Sequence, residues 1–323
     1  MKNLAKFLSL MLIVLLPLSA MSCDDNNDMD EPETNTIADF VAGNSNYSSL
    51  LAALIKADLV NTLKGAGPFT VFAPDNAAFS LFLSANGFAN LDAVPVSALK
   101  QILLNHVVSG AVKSTDLTTG YISTLSTAAP NNLNISMFVN TSGGVKLNGV
   151  SEVTGANNIL DNGVVHLVNK VIGLPTVVTF ATADPTFSTL VAALTRADQP
   201  NFVSVLSTAN GTAPAPFTVF APTNNAFGAL LTELGVSGLS AINTATLTAT
   251  LNHHVVAGAN VRSTALTNNM TVGTLGGNIT ANITGGAKLT DANGRISNIV
   301  AVNVQATNGV IHVIDKVILP KLN

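Results

Sequence analysis

Between residues 47 and 55 the apolar positions are Tyr47, Leu50, Leu51, Leu54 and Ile55, at i, i+3, i+4, i+7 and i+8. That spacing predicts a helix with one face on a core. Phe187, Leu190, Val191 and Leu194 repeat it in the second half of the chain. Thr36 to Gly43 reads as a shorter helix, and Val96 to His106 as a longer one with Leu99, Ile102, Leu103 and His106 along one side. From Val107 the apolar period shortens. Tyr121–Ser126, Leu133–Val139, Gly144–Leu147 and Gly163–Val168 are short segments parted by Gly, Asn and Ser. They predict hairpins in a small antiparallel assembly. The same order returns later, with a helix to about His254 and strands around Val272, Ile279, Lys288–Leu289, Ile299–Val304 and Val310–Ile314.

The returning order reflects a duplication. Pro68–Phe79 (PFTVFAPDNAAF) and Pro216–Phe227 (PFTVFAPTNNAF) agree at ten of twelve positions, 148 residues apart. Asn162–Ile172 (NGVVHLVNKVI) and Asn308–Ile318 (NGVIHVIDKVI) form a second pair. An internal repeat this close means two copies of one domain. In each copy a short apolar strand turns at Ala-Pro and leads into a helix behind Asp75 or Thr223, both good N-cap residues. Gln199–Ala215 is eight residues longer than its counterpart. Such insertions usually lie in surface loops, so this stretch is a candidate for ligand contact. Leu174-Pro175-Thr176, between the copies, is too short and apolar for a free linker and predicts a fixed or narrowly hinged pair.

Three motifs in order resemble the fasciclin (FAS1) family over nearly all of 36–320, twice. PFTVFAP is similar to its H1 segment and NGVxH to its H2 segment. Leu103–Val108 and Leu251–Val256 are similar to its Tyr-His segment, with Asn105 and His253 in place of the Tyr. The resemblance implies an α+β fold of two tandem fasciclin-like domains, each a small β-sandwich or wedge with flanking helices. It places domain 1 at 36–174 and domain 2 at 175–321. It also implies extracellular adhesion or matrix association without catalysis. In animal members an Asp-containing stretch just ahead of NGVxH is associated with integrin recognition. The matching places here are Asn158 and approximately Asn303.

The first residues predict location. Lys2 and Lys6 precede an apolar run from Phe7 to Leu18, too short for a comfortable membrane span, so 1–22 reads as a signal peptide. Ala20-Met21-Ser22-Cys23 resembles a bacterial lipobox, with Ala where Leu is usual. On that reading Cys23 is lipidated and its acyl chains are the anchor to a bacterial outer membrane. The alternative is an incidental free Cys. The stretch from Asp24 to Glu33 holds six acidic groups and almost nothing apolar, which makes 23–35 a flexible tether. It also resembles the surface-export signal of some Gram-negative lipoproteins; a plain solvated spacer is the other reading.

Composition removes several function classes. Cys23 is the one cysteine, so neither an intrachain disulfide nor a Cys-based metal site is available. Without Lys2 and Lys6, 12 basic groups face 18 acidic ones, a formal net charge of −6, and no basic cluster predicts nucleic-acid binding. Trp is absent and Tyr occurs only at 47 and 121, which weakens an aromatic sugar platform.

The histidines are the candidates for chemistry. His106 and His254 lie on an apolar helix face without a partner at metal-ligand spacing. The adjacent pair His253-His254 points about 100° apart, a poor arrangement for one shared metal. His166 and His312 interrupt apolar strand faces. All four are expected to be buried and hydrogen-bonded, His106 and His254 to backbone or to the H1 residues Asn76 and Asn224. No Gly-x-Ser-x-Gly elbow and no carboxylate pair shared by both copies suggests catalysis. Asp58 and Asp198 recur in Lys56-Ala57-Asp58 and Arg196-Ala197-Asp198, which reads as helix-end chemistry. Asp291–Gly294 carries part of a calcium-loop pattern without the later Glu and reads as a β-turn. The expectation is a non-enzymatic envelope lipoprotein without cofactor or metal, binding an extracellular protein or polysaccharide. The alternative is an accessory glycan- or nutrient-capture lipoprotein.

Overall fold

A computed structural model describes residues 35–321. The expected signal peptide, Cys23 and the acidic stretch to residue 34 lie outside the described residues.

Domain 1 opens with three helices, α1 (Ile37–Ala42), α2 (Ser48–Lys56) and α3 (Val60–Lys64). The repeated motif follows as β1 (Phe69–Pro74) and α4 (Asn76–Ala85), then α5 (Val96–Leu104). Six strands complete the domain: β2 (Val107–Ser109), β3 (Gly120–Ser123), β4 (Ser136–Asn140), β5 (Lys146–Leu147), β6 (Ser151–Leu160) and β7 (Gly163–Val168). Domain 2 repeats the order with α6 (Val177–Ala183), α7 (Ser188–Leu194), α8 (Phe202–Leu206), β8 (Phe217–Pro222), α9 (Asn224–Leu234) and α10 (Thr244–Asn252). Its remaining strands are β9 (Val255–Ala257), β10 (Met270–Thr274), β11 (Gly277–Asn282), β12 (Lys288–Thr290), β13 (Ile296–Ala306) and β14 (Gly309–Ile314).

Capping explains where the helices start. Thr36 and Asp39 form a capping box on α1, and Thr176 and Thr179 form its counterpart on α6. The predicted caps Asp75 and Thr223 accept the backbone N–H of Ala78 and Ala226. The stripe on α2 is narrower than its spacing predicts. Tyr47, Leu50 and Leu54 are buried, but Ile55 is 62% exposed.

Each domain carries seven strands, in the order β2-β1-β7-β6-β5-β4-β3 and β10-β11-β12-β13-β14-β8-β9. The sheets are not the purely antiparallel set that the segment spacing predicts. β1 runs parallel to β7, and β8 parallel to β14. β6, which its polar sequence conceals, supplies a strand missing from the expectation, and β13 extends the segment predicted at Ile299–Val304 to Ile296–Ala306. Register shifts near Gly155 and between Ile299 and Val304 bend these two strands, so each sheet folds over on itself as a wedge. Side chains alternate between two cores. Val71, Ala73 and Val165 face the helices with Leu50, Leu54, Leu99 and Leu103. Phe72, Val168, Met137, Val139 and Leu147 fill the wedge.

The two domains meet through side chains as well as through the short joint. Phe138 of β4 packs into the helix-side core of domain 2 with Phe180 and Phe187. Tyr121 of β3 meets Phe180 edge-on, with centroids 5.5 Å apart, and donates its hydroxyl to Asp184 Oδ2 at 2.9 Å. Gln305 N–H donates to Ser136 Oγ at 3.0 Å. The joint at Pro175 is tied down by the N–H and hydroxyl of Thr307.

Candidate functional site

Each of the four motif histidines bonds to a backbone carbonyl inside the fold. His106 follows α5, and its Nδ1 lies 2.7 Å from the Ile102 carbonyl. Its Nε2 accepts the Ile172 N–H at 2.8 Å. A nitrogen that accepts from a backbone N–H carries no proton, so Nδ1–H is the donor and the ring is neutral. His254 repeats this with the Thr250 carbonyl and Ile318 N–H, at 2.8 and 3.0 Å. Burial pushes both imidazoles down to about 4. Each ring therefore latches the end of the NGVxH segment to the helix before the wedge. The bond to the H1 asparagines does not form. Asn76 instead accepts the Ser49 N–H and donates to the Ser45 carbonyl, and Asn224 does the same with Thr189 and Pro185. Their side chains face α2 and α7, away from the imidazoles.

His166 and His312 stand in the wedge beside Phe72 and Phe220, their partners in the parallel register, at centroid distances of 5.5 and 5.8 Å. His166 Nε2 pairs with the Val112 carbonyl and its Nδ1 accepts the Asn157 N–H. His312 Nε2 pairs with the Val261 carbonyl, while its Nδ1 has no partner. Burial lowers both pKa values. Among the described residues no three His, Cys, Asp or Glu side chains gather to hold a metal.

Asn105 and His253, at the Tyr position of the Tyr-His segment, also turn inward. Asn105 donates to the Ile172 and Gly173 carbonyls, and His253 pairs with Ala249 O. The counterpart of Asn303 is Asn157 rather than Asn158. Both have φ near +62° and both bind the N–H of a serine across the wedge, Ser114 or Ser263. Lys56 and Arg196 do not neutralise their own helix ends. They reach across to carbonyls at Leu91, Asp92 and Val94, and at Leu239 and Ile242. Asp291 does form a turn, its oxygens taken by N–H groups of Asn293, Arg295 and Leu319.

Asn162 and Asn308 carry more of the architecture than their place in the motif conveys. Asn162 accepts the Ile37 N–H and donates to the Leu63 and Gly65 carbonyls. Asn308 does so with Val177, Leu206 and Thr208. The signal for them was recurrence in both copies. A Cβ on the following Gly163 or Gly309 would overlap the carbonyl oxygen of Phe69 or Phe217.

A Fasciclin domain profile matches residues 45–175 and 185–320. The chain belongs to the fasciclin family. Protein sll1483 of Synechocystis is 39% identical over 137 residues, 42% of this chain and 72% of that protein. The ig-h3 protein induced by transforming growth factor-beta in Sus scrofa is 31% identical over 262 residues. That alignment covers 80% of this chain and 35% of the pig protein. The solved FAS1 domain pair of the insect cell adhesion molecule fasciclin I aligns with a TM-score of 0.54 and 18% identity. It covers 87% of this chain and 98% of that pair, a likeness of fold. Two tandem fasciclin domains of α+β type account for the folded span.

With the motif residues turned inward, a fasciclin pair has its surfaces left for recognition. The long stretch Gln199–Ala215 is only partly such a surface. It holds α8, whose Phe202 and Leu206 are buried, while Val203–Val205, Ser207 and the turn at 209–214 are exposed. A groove of about 580 Å³ lies along α4 of domain 1, the β5–β6 turn and the joint, with Thr179 of α6 at its edge. Leu81 and Val150, on its walls, are 59% and 47% exposed, and Lys170 borders it.

Proposed function

We propose that this fasciclin protein is a non-catalytic adhesion or extracellular-binding protein of a bacterial cell envelope. Acyl chains on Cys23 anchor it, and the acidic tether carries the domain pair away from the membrane. The reading rests on the likeness to a domain pair from a cell adhesion molecule and on one observation in this chain. Tyr121, Phe138 and Phe180 lock two fasciclin domains into a pair whose groove presents Leu81 and Val150 to solvent. Exposed apolar side chains of this size beside a cation supply contact area and a polar rim for a protein or polysaccharide. The Asn157, Asn158 and Asn303 positions lack the acidic group of the animal integrin-associated stretch, so the partner differs in chemistry from an integrin.

The test is retention of protein-coated beads on panels of extracellular proteins and polysaccharides, under flow. Coated beads are expected to be held, and beads bearing the Leu81→Asp, Val150→Asp pair to be released at the same protein coverage and melting temperature. No retention on any surface would overturn the adhesive reading. In the native host, Cys23→Ala is expected to move the protein from the membrane to the soluble fraction. An unchanged distribution would overturn the lipid anchor. Protease digestion on intact cells, against a lysed control, distinguishes a surface location from a periplasmic one.

A further inference from the structure

The two copies differ where they would be expected to match most closely, in the packing of their first helices on the sheet. Domain 2 contains a cavity of about 210 Å³ between α6, α7, α8 and the sheet. Its inner wall includes Val177, Ala181, Leu190, Val191, Leu206 and Ile311. The equivalent side chains of domain 1 are larger at four lining positions. Ile37 stands where domain 2 has Val177, Val41 where it has Ala181, Leu51 where it has Val191, and Ile55 where it has Thr195. These four differences remove five non-hydrogen atoms, and Val178, Thr182 and Ile311, which stand where domain 1 has Ala38, Ala42 and Val165, add five back on other walls, so the two copies line this space differently at equal side-chain bulk. Phe202, in place of Leu59, is bulkier but does not line the space.

The wall chemistry selects the occupant. Thr182 and Thr195 are its polar side chains, and their hydroxyls already bond to the carbonyls one turn earlier, Val178 and Val191. No charged group lines the cavity. Arg196, next along α7 from the rim, is held by Asp198 and by the Leu239 and Ile242 carbonyls. Water entering such a space would find too few partners, whereas an apolar cavity of about 150 Å³ takes benzene or xenon. The mouth opens to solvent at Thr182, Thr195 and Val203, the last 38% exposed.

We infer that domain 2 holds a binding site for the unbranched aliphatic chain of a single-chain amphiphile, with its head group left in water. A methylene occupies about the space of a water, so roughly seven chain carbons fit inside. This site is independent of the adhesive reading, because the groove residues Leu81 and Val150 belong to domain 1 and the cavity is lined by domain 2 alone.

The test uses the protein spanning 35–321, with saturated fatty acids below their micellar concentrations, in isothermal titration calorimetry and thermal melts. Decanoate is expected to bind one site and raise the melting temperature. Affinity should climb from hexanoate to about octanoate and then level off, because further carbons stay outside. Decanol should match decanoate within a few-fold, since no cation meets the carboxylate. The variant Val177→Ile, Ala181→Val, Val191→Leu, Thr195→Ile adds five non-hydrogen atoms to the cavity walls. It is expected to melt no lower than the parent and to bind decanoate at least about tenfold more weakly. Absence of decanoate binding by the parent protein overturns the site outright, however the variant behaves. Undiminished binding by a folded variant, or affinity that rises without a plateau through tetradecanoate, overturns it as well.

Discussion

Lowering the pH from 7 to 5 should weaken this fold through His106 and His254 in particular. Each ring donates from Nδ1 to a helix carbonyl and accepts a backbone N–H at Nε2. Protonation would add a hydrogen at Nε2, pointing at the N–H of Ile172 or Ile318. Burial is the main cause of the depressed pKa values. Near His254, His253 pushes further down, while Asp291 and the Thr250 carbonyl oppose it. The folded pKa of about 4 lies below the unfolded value near 6.5, so between these limits the unfolded chain binds more protons. Stability is therefore complete above about pH 6.5 and falls as pH drops toward 4. From pH 7 to pH 5 the linkage amounts to about 2 kcal/mol per ring, about 4 kcal/mol for the pair. His166 and His312, also lowered, act in the same direction. Urea unfolding followed by circular dichroism at pH 7, 6 and 5 reads the effect. At an m-value of roughly 3 kcal/mol per molar urea the midpoint should drop by about 1 M. Replacing both rings by Gln should lower the midpoint at pH 7 and flatten its pH dependence. An unchanged midpoint between pH 7 and 5, or imidazole titrations of His106 and His254 near 6.5 by NMR, would refute the reasoning.

Three substitutions probe other contacts. Tyr121→Phe leaves buried Asp184 Oδ2 without its donor and should cost about 1–2 kcal/mol, seen in thermal melts together with faster proteolysis at Leu174. Asn162→Ala strips partners from the Ile37 N–H and from two carbonyls. It should cost about 2–4 kcal/mol in urea unfolding, against about 1 kcal/mol for Asn76→Ala, whose bonds lie nearer solvent. Gly163→Ala drives a methyl into the Phe69 carbonyl on the parallel partner strand and should cost about 3 kcal/mol or more; a melting temperature equal to the parent's would exclude that clash.

Much of this molecule is legible along the chain. The repeat announces two domains, because identical motifs at a fixed spacing fold alike. Asp75 and Thr223 mark helix starts, since a cap acts on a backbone N–H only three residues away. The alternation around His166 and His312 marks them as inward, because side chains on a strand alternate by local geometry alone. What the tertiary structure decided depends on partners far off in sequence. β6 looks polar because much of its surface faces water, and only pairing with β7 makes it a strand. The parallel register of β1 on β7 joins segments almost a hundred residues apart, so no local period encodes it. Ile55 fits the helical stripe yet is 62% exposed, because burial depends on which elements pack over α2 and not on the spacing alone. Asn76 and His106 share a motif set but bond to different neighbours, a matter of which element happens to pack against each. The cavity in domain 2 is lined from α6, α7, α8, β8 and β14, so it becomes one volume only when three helices close over the sheet.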